Sequence, residues 1–97
     1  MLKIGFGPQG DVVIEGRLDA AQAATAQGFL DTVNGSATLD CSALEYISSA
    51  GLGVLLKTQK RLRANAGQLR LTGLSRQVHD IFRYAGFDQI FEIVPAG

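Results

Sequence analysis

Apolar and polar positions alternate over Leu2-Lys3-Ile4-Gly5-Phe6, the period of a strand. Gly7-Pro8-Gln9-Gly10 breaks that pattern as a turn. Asp11-Val12-Val13-Ile14-Glu15, rich in β-branched residues, makes a second strand. So short a turn predicts an antiparallel hairpin. Gly16-Arg17-Leu18-Asp19 then leads into a helix over 20–33, with Asp19 as its cap and Asn34-Gly35 as its stop signal. Ala37-Thr38-Leu39-Asp40-Cys41 reads as a third strand ending at an acidic residue, and 42–47 as a connection. Ser48-Ser49 precede a long helix that ends near 64–67. Gln68-Leu69-Arg70-Leu71-Thr72-Gly73 alternates as a fourth strand, Ser75 caps a helix through Tyr84-Ala85 closed by Gly86, and Phe91-Glu92-Ile93-Val94 is a short last strand.

The order is ββαβαβαβ. Strands alternating with helices require crossovers, so the expected class is α/β, with one mixed, mostly parallel sheet and an N-terminal antiparallel hairpin. Function in such sheets usually sits at the carboxyl ends of the strands. The chain is 97 residues long, which fits one domain over 1–97. Its mean hydropathy is +0.15, that of a globular chain. No apolar run approaches the roughly 18 residues of a membrane helix, and Met1-Leu2-Lys3-Ile4-Gly5 lacks the apolar stretch of a signal peptide. A cytoplasmic protein without membrane insertion is expected.

Nine Lys and Arg balance nine Asp and Glu, which argues against a nucleic-acid binder. Residues 1–50 carry Lys3 and Arg17 against six acids, while 51–97 carry seven cations against three acids. That asymmetry reads either as a dipolar surface that steers a protein partner or as chance distribution over exposed faces. Cys41 is alone, so no internal disulfide can form and no cysteine-based metal site is expected; on an apolar strand it reads as a small buried side chain. No cofactor is expected.

The chemistry concentrates between Leu39 and Leu56. Gly51 and Gly53 occupy the start of a helix, where each costs about 1 kcal/mol against Ala. Two such costs call for close approach of something: another backbone, a partner or a phosphate. We expect a partner at Gly51, so that Ala there leaves stability unchanged or raised, and the sheet or a loop at Gly53, so that Ala there crowds the fold. Free N–H groups at this turn favour an anion, and a hydroxyl placed there can carry a phosphate. The simpler reading is that Ser48 or Ser49 is only an N-cap. The leucines Leu52, Leu55, Leu56 and Leu62 share one helical face, leaving Lys57, Lys60 and Arg61 to water. His79-Asp80 invites a triad with Ser49, but no Gly-x-Ser-x-Gly elbow surrounds that serine. Gly5, Gly7 and Gly10 belong to a hairpin turn and not to a phosphate loop. Asp40 either braces its loop or repels a phosphate.

Asp40-Cys41-Ser42, Tyr46-Ile47, Ser49 and Gly51-Leu52-Gly53 closely resemble, in order and spacing, the signature of the STAS domain family, in particular the bacterial anti-sigma-factor antagonists. Gly16-Arg17-Leu18-Asp19 resembles the start of that family's first helix, and Phe82, Gly86, Phe87 and Ile90-Phe91 its closing helix and strand. The resemblance implies a non-enzymatic partner switch. The serine two residues before the first glycine, here Ser49, is phosphorylated, with Ser48 as runner-up. Asp19, Asp40, Ser48, Ser49, Ala50, Gly51, Leu52 and Gly53 form the implied partner-binding set. The implied partners are an anti-sigma factor with a histidine-kinase-like ATPase fold, which is also the serine kinase, and a phosphoserine phosphatase. Departures are Ser48 where many members have Asp, Ala50 where a second hydroxyl is common, and an end at Pro95-Ala96-Gly97, short of a further helix. Two other classes remain open: a non-phosphorylated STAS module docking on a transporter or sensory complex, and a small serine hydrolase, for which an open domain of this size offers little pocket volume.

Overall fold

The computed structural model describes residues 1–94; Pro95-Ala96-Gly97 lie outside them. Its elements are β1 (Leu2–Phe6), β2 (Val12–Leu18), α1 (Ala23–Leu30), β3 (Ala37–Ile47), α2 (Ser49–Ala64), β4 (Leu69–Thr72), α3 (Arg76–Tyr84) and β5 (Glu92–Ile93). One sheet has the order β1-β2-β3-β4-β5. β1 pairs antiparallel with β2, and every later pair is parallel. The expected class and element order are therefore those observed. Each crossover steps one strand in the same direction, so right-handed connections place all three helices on one face. The side chains agree. Val12, Ile14, Leu18, Leu39, Leu69 and Leu71 are buried towards the helices, while Lys3 and Arg70 stand exposed on the opposite face, where Arg70 pairs with Glu92.

Residues 42–47 are strand, not a connection. β3 runs on because two bulges absorb its extra residues. Val13 faces Asp40 but Glu15 faces Ala43, and Gly16 faces Leu44 but Arg17 faces Tyr46. Each shift adds one residue to β3 and none to β2. The buried positions consequently fall at Leu39, Cys41, Leu44 and Ile47, so the spacing stretches from two to three and hides the alternation. Asp40 Oδ1 accepts from Ser42 N at 3.0 Å and braces the first bulge. β4 stops opposite Asp40, so β3 outruns it. Gly73 (φ +71°) turns the chain close over Ser42, and α3 packs against β3 instead of a strand.

α1 is shorter than the expected 20–33, and Asp19 is not its N-cap. That position is Gln22, which makes no side-chain cap. Asp19 Oδ1 accepts from Gln22 N at 3.2 Å and Asp19 O from the same N–H at 3.1 Å, so the chain makes one separate turn before the helix begins. α2 matches its expected span, and Ser75 caps α3 as expected by accepting from Val78 N at 3.2 Å.

Two polar residues of α2 knit the layers. Gln59 is buried; its Nε2 donates to Ile90 O at 3.0 Å and its Oε1 accepts from Leu69 N at 2.6 Å. Arg61 is only half exposed, not turned to water as the pattern suggested. Its Nη2 donates to Leu30 O at 2.8 Å and Val33 O at 2.7 Å, satisfying carbonyls at the end of α1.

The two glycines exchange their expected roles. A Cβ on Gly51 would lie 2.6 Å from Leu18 O and 2.8 Å from both Ile47 Cγ1 and Leu18 Cγ, whereas one on Gly53 would meet nothing within 4 Å. Gly51 lets the first turn of α2 rest on the ends of β2 and β3; Gly53 faces outward.

Urea denaturation should show Gly51→Ala losing about 1–3 kcal/mol by overpacking, because two backbone segments would have to separate. Gly53→Ala should be neutral or gain up to about 1 kcal/mol from helix propensity. Gln59→Leu should cost about 1–3 kcal/mol for each backbone group it strands at Leu69 and Ile90, with the circular dichroism spectrum retained.

Candidate functional site

The carboxyl ends of β2 and β3 and the start of α2 meet at one point. Leu18 O accepts the N–H of Ser48 at 2.9 Å, and Ser48 O accepts the N–H of Leu52 at 2.8 Å. Ser48 has extended backbone (φ −91°, ψ 174°), and its Oγ accepts from Gly51 N at 3.2 Å, an N-cap. The same hydroxyl can donate to Leu18 O at 3.4 Å. Ser48 is therefore half-buried and committed to the fold on every polar atom.

Ser49 is the first residue of α2 and is exposed. No hydrogen bond within the described residues occupies its hydroxyl. No acidic side chain lies in the first turn. The helix itself therefore supplies no acidic side chain to offset the positive end of its macrodipole beside the accessible hydroxyl.

A groove of about 360 Å³ opens next to Ser49, between the start of α2 and the flank of α3. Tyr46, Ile47, Leu52, Ile81 and Tyr84 form its walls, and Tyr84 is 81% exposed. Sequence reasoning missed Ile81 and Tyr84. Their signal was the apolar stripe of α3, from which Tyr84 stands out by having no core position to fill. Arg17 was missed too; its guanidinium lies 4.5 Å over the Tyr46 ring, a cation–π contact between neighbouring strand ends.

Of the residues singled out from the sequence, Ser48, Ser49, Ala50, Gly51, Leu52 and Gly53 share the first turns of α2. Asp19 joins them, because it follows Leu18, whose carbonyl holds Ser48. Asp40 does not. It sits partway along β3, about 20 Å of strand away from Ser48. It braces a bulge and is too distant to repel a phosphate on either serine. Within the set, Ser49, Ala50 and Gly53 are exposed, Asp19 is half-buried, and Gly51 and Leu52 face inward.

The chemistry available here is narrow. His79 is exposed on α3 and Asp80 pairs with Arg83 at 3.0 Å, so neither holds the Ser49 hydroxyl. Among the described residues no group of His, Cys, Asp or Glu could hold a metal ion. Cys41 is fully buried, and burial, aided by the charge of Asp40, pushes its thiol up to about 12, far from a reactive thiolate. No described helix is long and apolar enough to cross a membrane. Among the described residues, no side chain is hydrogen-bonded to the Ser49 hydroxyl.

Comparison with known proteins places this arrangement. A family model described as Mlab, STAS domain matches residues 7–95. BtrV of Bordetella bronchiseptica, an anti-sigma factor antagonist by name, is 46% identical over 55 residues, which cover 57% of this chain and 47% of that protein; the aligned part thus spans just under half of BtrV. The anti-sigma-B factor antagonist of Listeria monocytogenes is 30% identical over 87 residues, covering 86% of this chain and 76% of that one. The anti-sigma factor antagonist SpoIIAA in its unphosphorylated form superposes with a TM-score of 0.70 at 20% identity, over 100% of this chain and 90% of that one. SpoIIAA of Bacillus in its phosphorylated form does so with 0.68 at 20% identity, over 98% and 92%. The chain belongs to the STAS domain family.

Proposed function

We propose that this protein is an anti-sigma-factor antagonist whose binding is switched by phosphorylation of Ser49. The observation that carries the reading is the division of labour between the two serines: Ser48 spends its hydroxyl on the helix cap, and Ser49 presents a free one at the exposed start of α2. The relatives named as anti-sigma factor antagonists, and the existence of SpoIIAA in two phosphorylation states, support it.

In this reading the unmodified chain docks its α2 edge on an anti-sigma factor with a histidine-kinase-like ATPase fold, and the anti-sigma factor lets go of its target. The same partner holds ATP. Ser49 Oγ attacks the γ-phosphorus, the bond to the ADP oxygen breaks, and the hydroxyl proton passes to a base of the kinase. A phosphoserine phosphatase later returns the hydroxyl by hydrolysis. The phosphate adds a charge of about −1.5 to −2 at neutral pH. At the start of a helix such an anion is tolerated by the fold, because the dipole favours it there. It acts on the interface, where a hydrated group must be stripped of water or kept out.

Incubation with the cognate kinase and ATP, followed by peptide mapping, should place one phosphate on Ser49. Ser49→Ala should abolish labelling, while Ser48→Ala should lose about 1 kcal/mol of stability, the worth of a cap, and still be labelled. Labelling on Ser48 overturns the assignment, and no labelling with any kinase of this class favours a STAS module that docks without phosphorylation. Ser49→Asp should melt within a few degrees of the unmodified chain yet bind the anti-sigma factor at least about tenfold more weakly, a loss of about 1.4 kcal/mol by titration calorimetry.

A further inference from the structure

α2 carries an outward stripe that neither the fold nor Ser49 explains. At 3.6 residues per turn, Ser49, Gly53, Lys57 and Lys60 fall within about 80° of one another, along roughly 17 Å of helix. All four are exposed. Gly53 has open space around it, so no contact within the protein demands a glycine there. Helix propensity alone disfavours it by about 1 kcal/mol against Ala. The helix has no Asp or Glu anywhere in its sixteen residues, and Lys57 and Lys60 make no ion pair among the described residues. A solvated helix face normally intersperses both signs; this one offers a hydroxyl, a flat step without a side chain, and two free cations in line.

From these features we infer that the Ser49-Gly53-Lys57-Lys60 face of α2 is a docking rail for the anti-sigma partner, and that the partner surface which meets it is acidic. This rests on the proposed function and adds the chemistry of recognition. Gly53 lets the partner's backbone lie close against the helix one turn beyond the acceptor hydroxyl. Lys57 and Lys60 then meet carboxylates of the partner, which fixes its register along α2 and presents Ser49 to the ATP site. Charges at such a position act chiefly on encounter and on register, and their effect fades with salt.

The test measures binding of the intact, unphosphorylated chain to each histidine-kinase-like anti-sigma factor encoded in the same genome, at low and high salt. One of these proteins should bind the wild-type chain. The double variant Lys57→Glu/Lys60→Glu should weaken that binding by about tenfold or more at low salt, and less at high salt. Gly53→Gln should melt at or above the wild-type temperature and still lose about tenfold in affinity and in phosphorylation rate at limiting chain concentration. Circular dichroism checks that each variant keeps its fold. Wild-type affinity in the charge-reversed variant, with Ser49 still phosphorylated, overturns the rail and leaves the switch standing. If no anti-sigma factor binds the wild-type chain, the proposed function fails and the rail with it. Binding to phosphatidylglycerol vesicles that the double variant abolishes, beside unchanged affinity for the anti-sigma factor, assigns the lysines to a membrane surface and overturns the inference.

Discussion

The architecture turns on one carbonyl. Leu18 O, at the end of β2, takes the N–H of Ser48 and lies where a side chain on Gly51 would have to go. A helix that must rest on a strand end at that distance admits only glycine at the contact. Once Gly51 is set, the remainder of α2 follows. Leu52, Leu55 and Leu62 drop onto the sheet, Gln59 reaches the far connection, and Arg61 closes the end of α1. Ser48 is drawn into the cap by the same contact, which releases its neighbour to the solvent.

The fold was largely legible because its elements obey their periods. The hairpin, the span of α2, the cap at Ser75 and the order of elements along the chain all came from alternation, capping residues and turn residues. What escaped was non-local. The bulges of β3 break alternation only in relation to β2, and nothing in residues 42–47 taken alone shows that a partner strand will skip with them. The roles of Gly51 and Gly53 depend on which side of a helix meets a strand end thirty residues earlier in the chain, which helical periodicity does not assign.

The site divides in the same way. The serines and the first turn of α2 were readable, because capping chemistry and a family signature coincide there. Asp40 belonged to that signature by sequence, but the extension of β3 carries it away and gives it bracing work. Arg17, Ile81 and Tyr84 were missed because they reach the edge from elements other than α2, Arg17 from the end of β2 and the other two from the flank of α3.

α2 is fastened at both ends, by Gly51 on Leu18 and by Arg61 on the carbonyls of Leu30, which ends α1, and of Val33 just beyond it. Both fastenings tie the helix to its neighbours, the first turn to the sheet and the last to α1. In the proposed switch, a phosphate at its first residue would stay where it is written, and a reader would have to touch that residue to know of it. Under the proposed function the molecule would then be a memory element of one bit: its state would end only when a bond is cut, so the timing of the signal would belong to the enzymes that write and erase it.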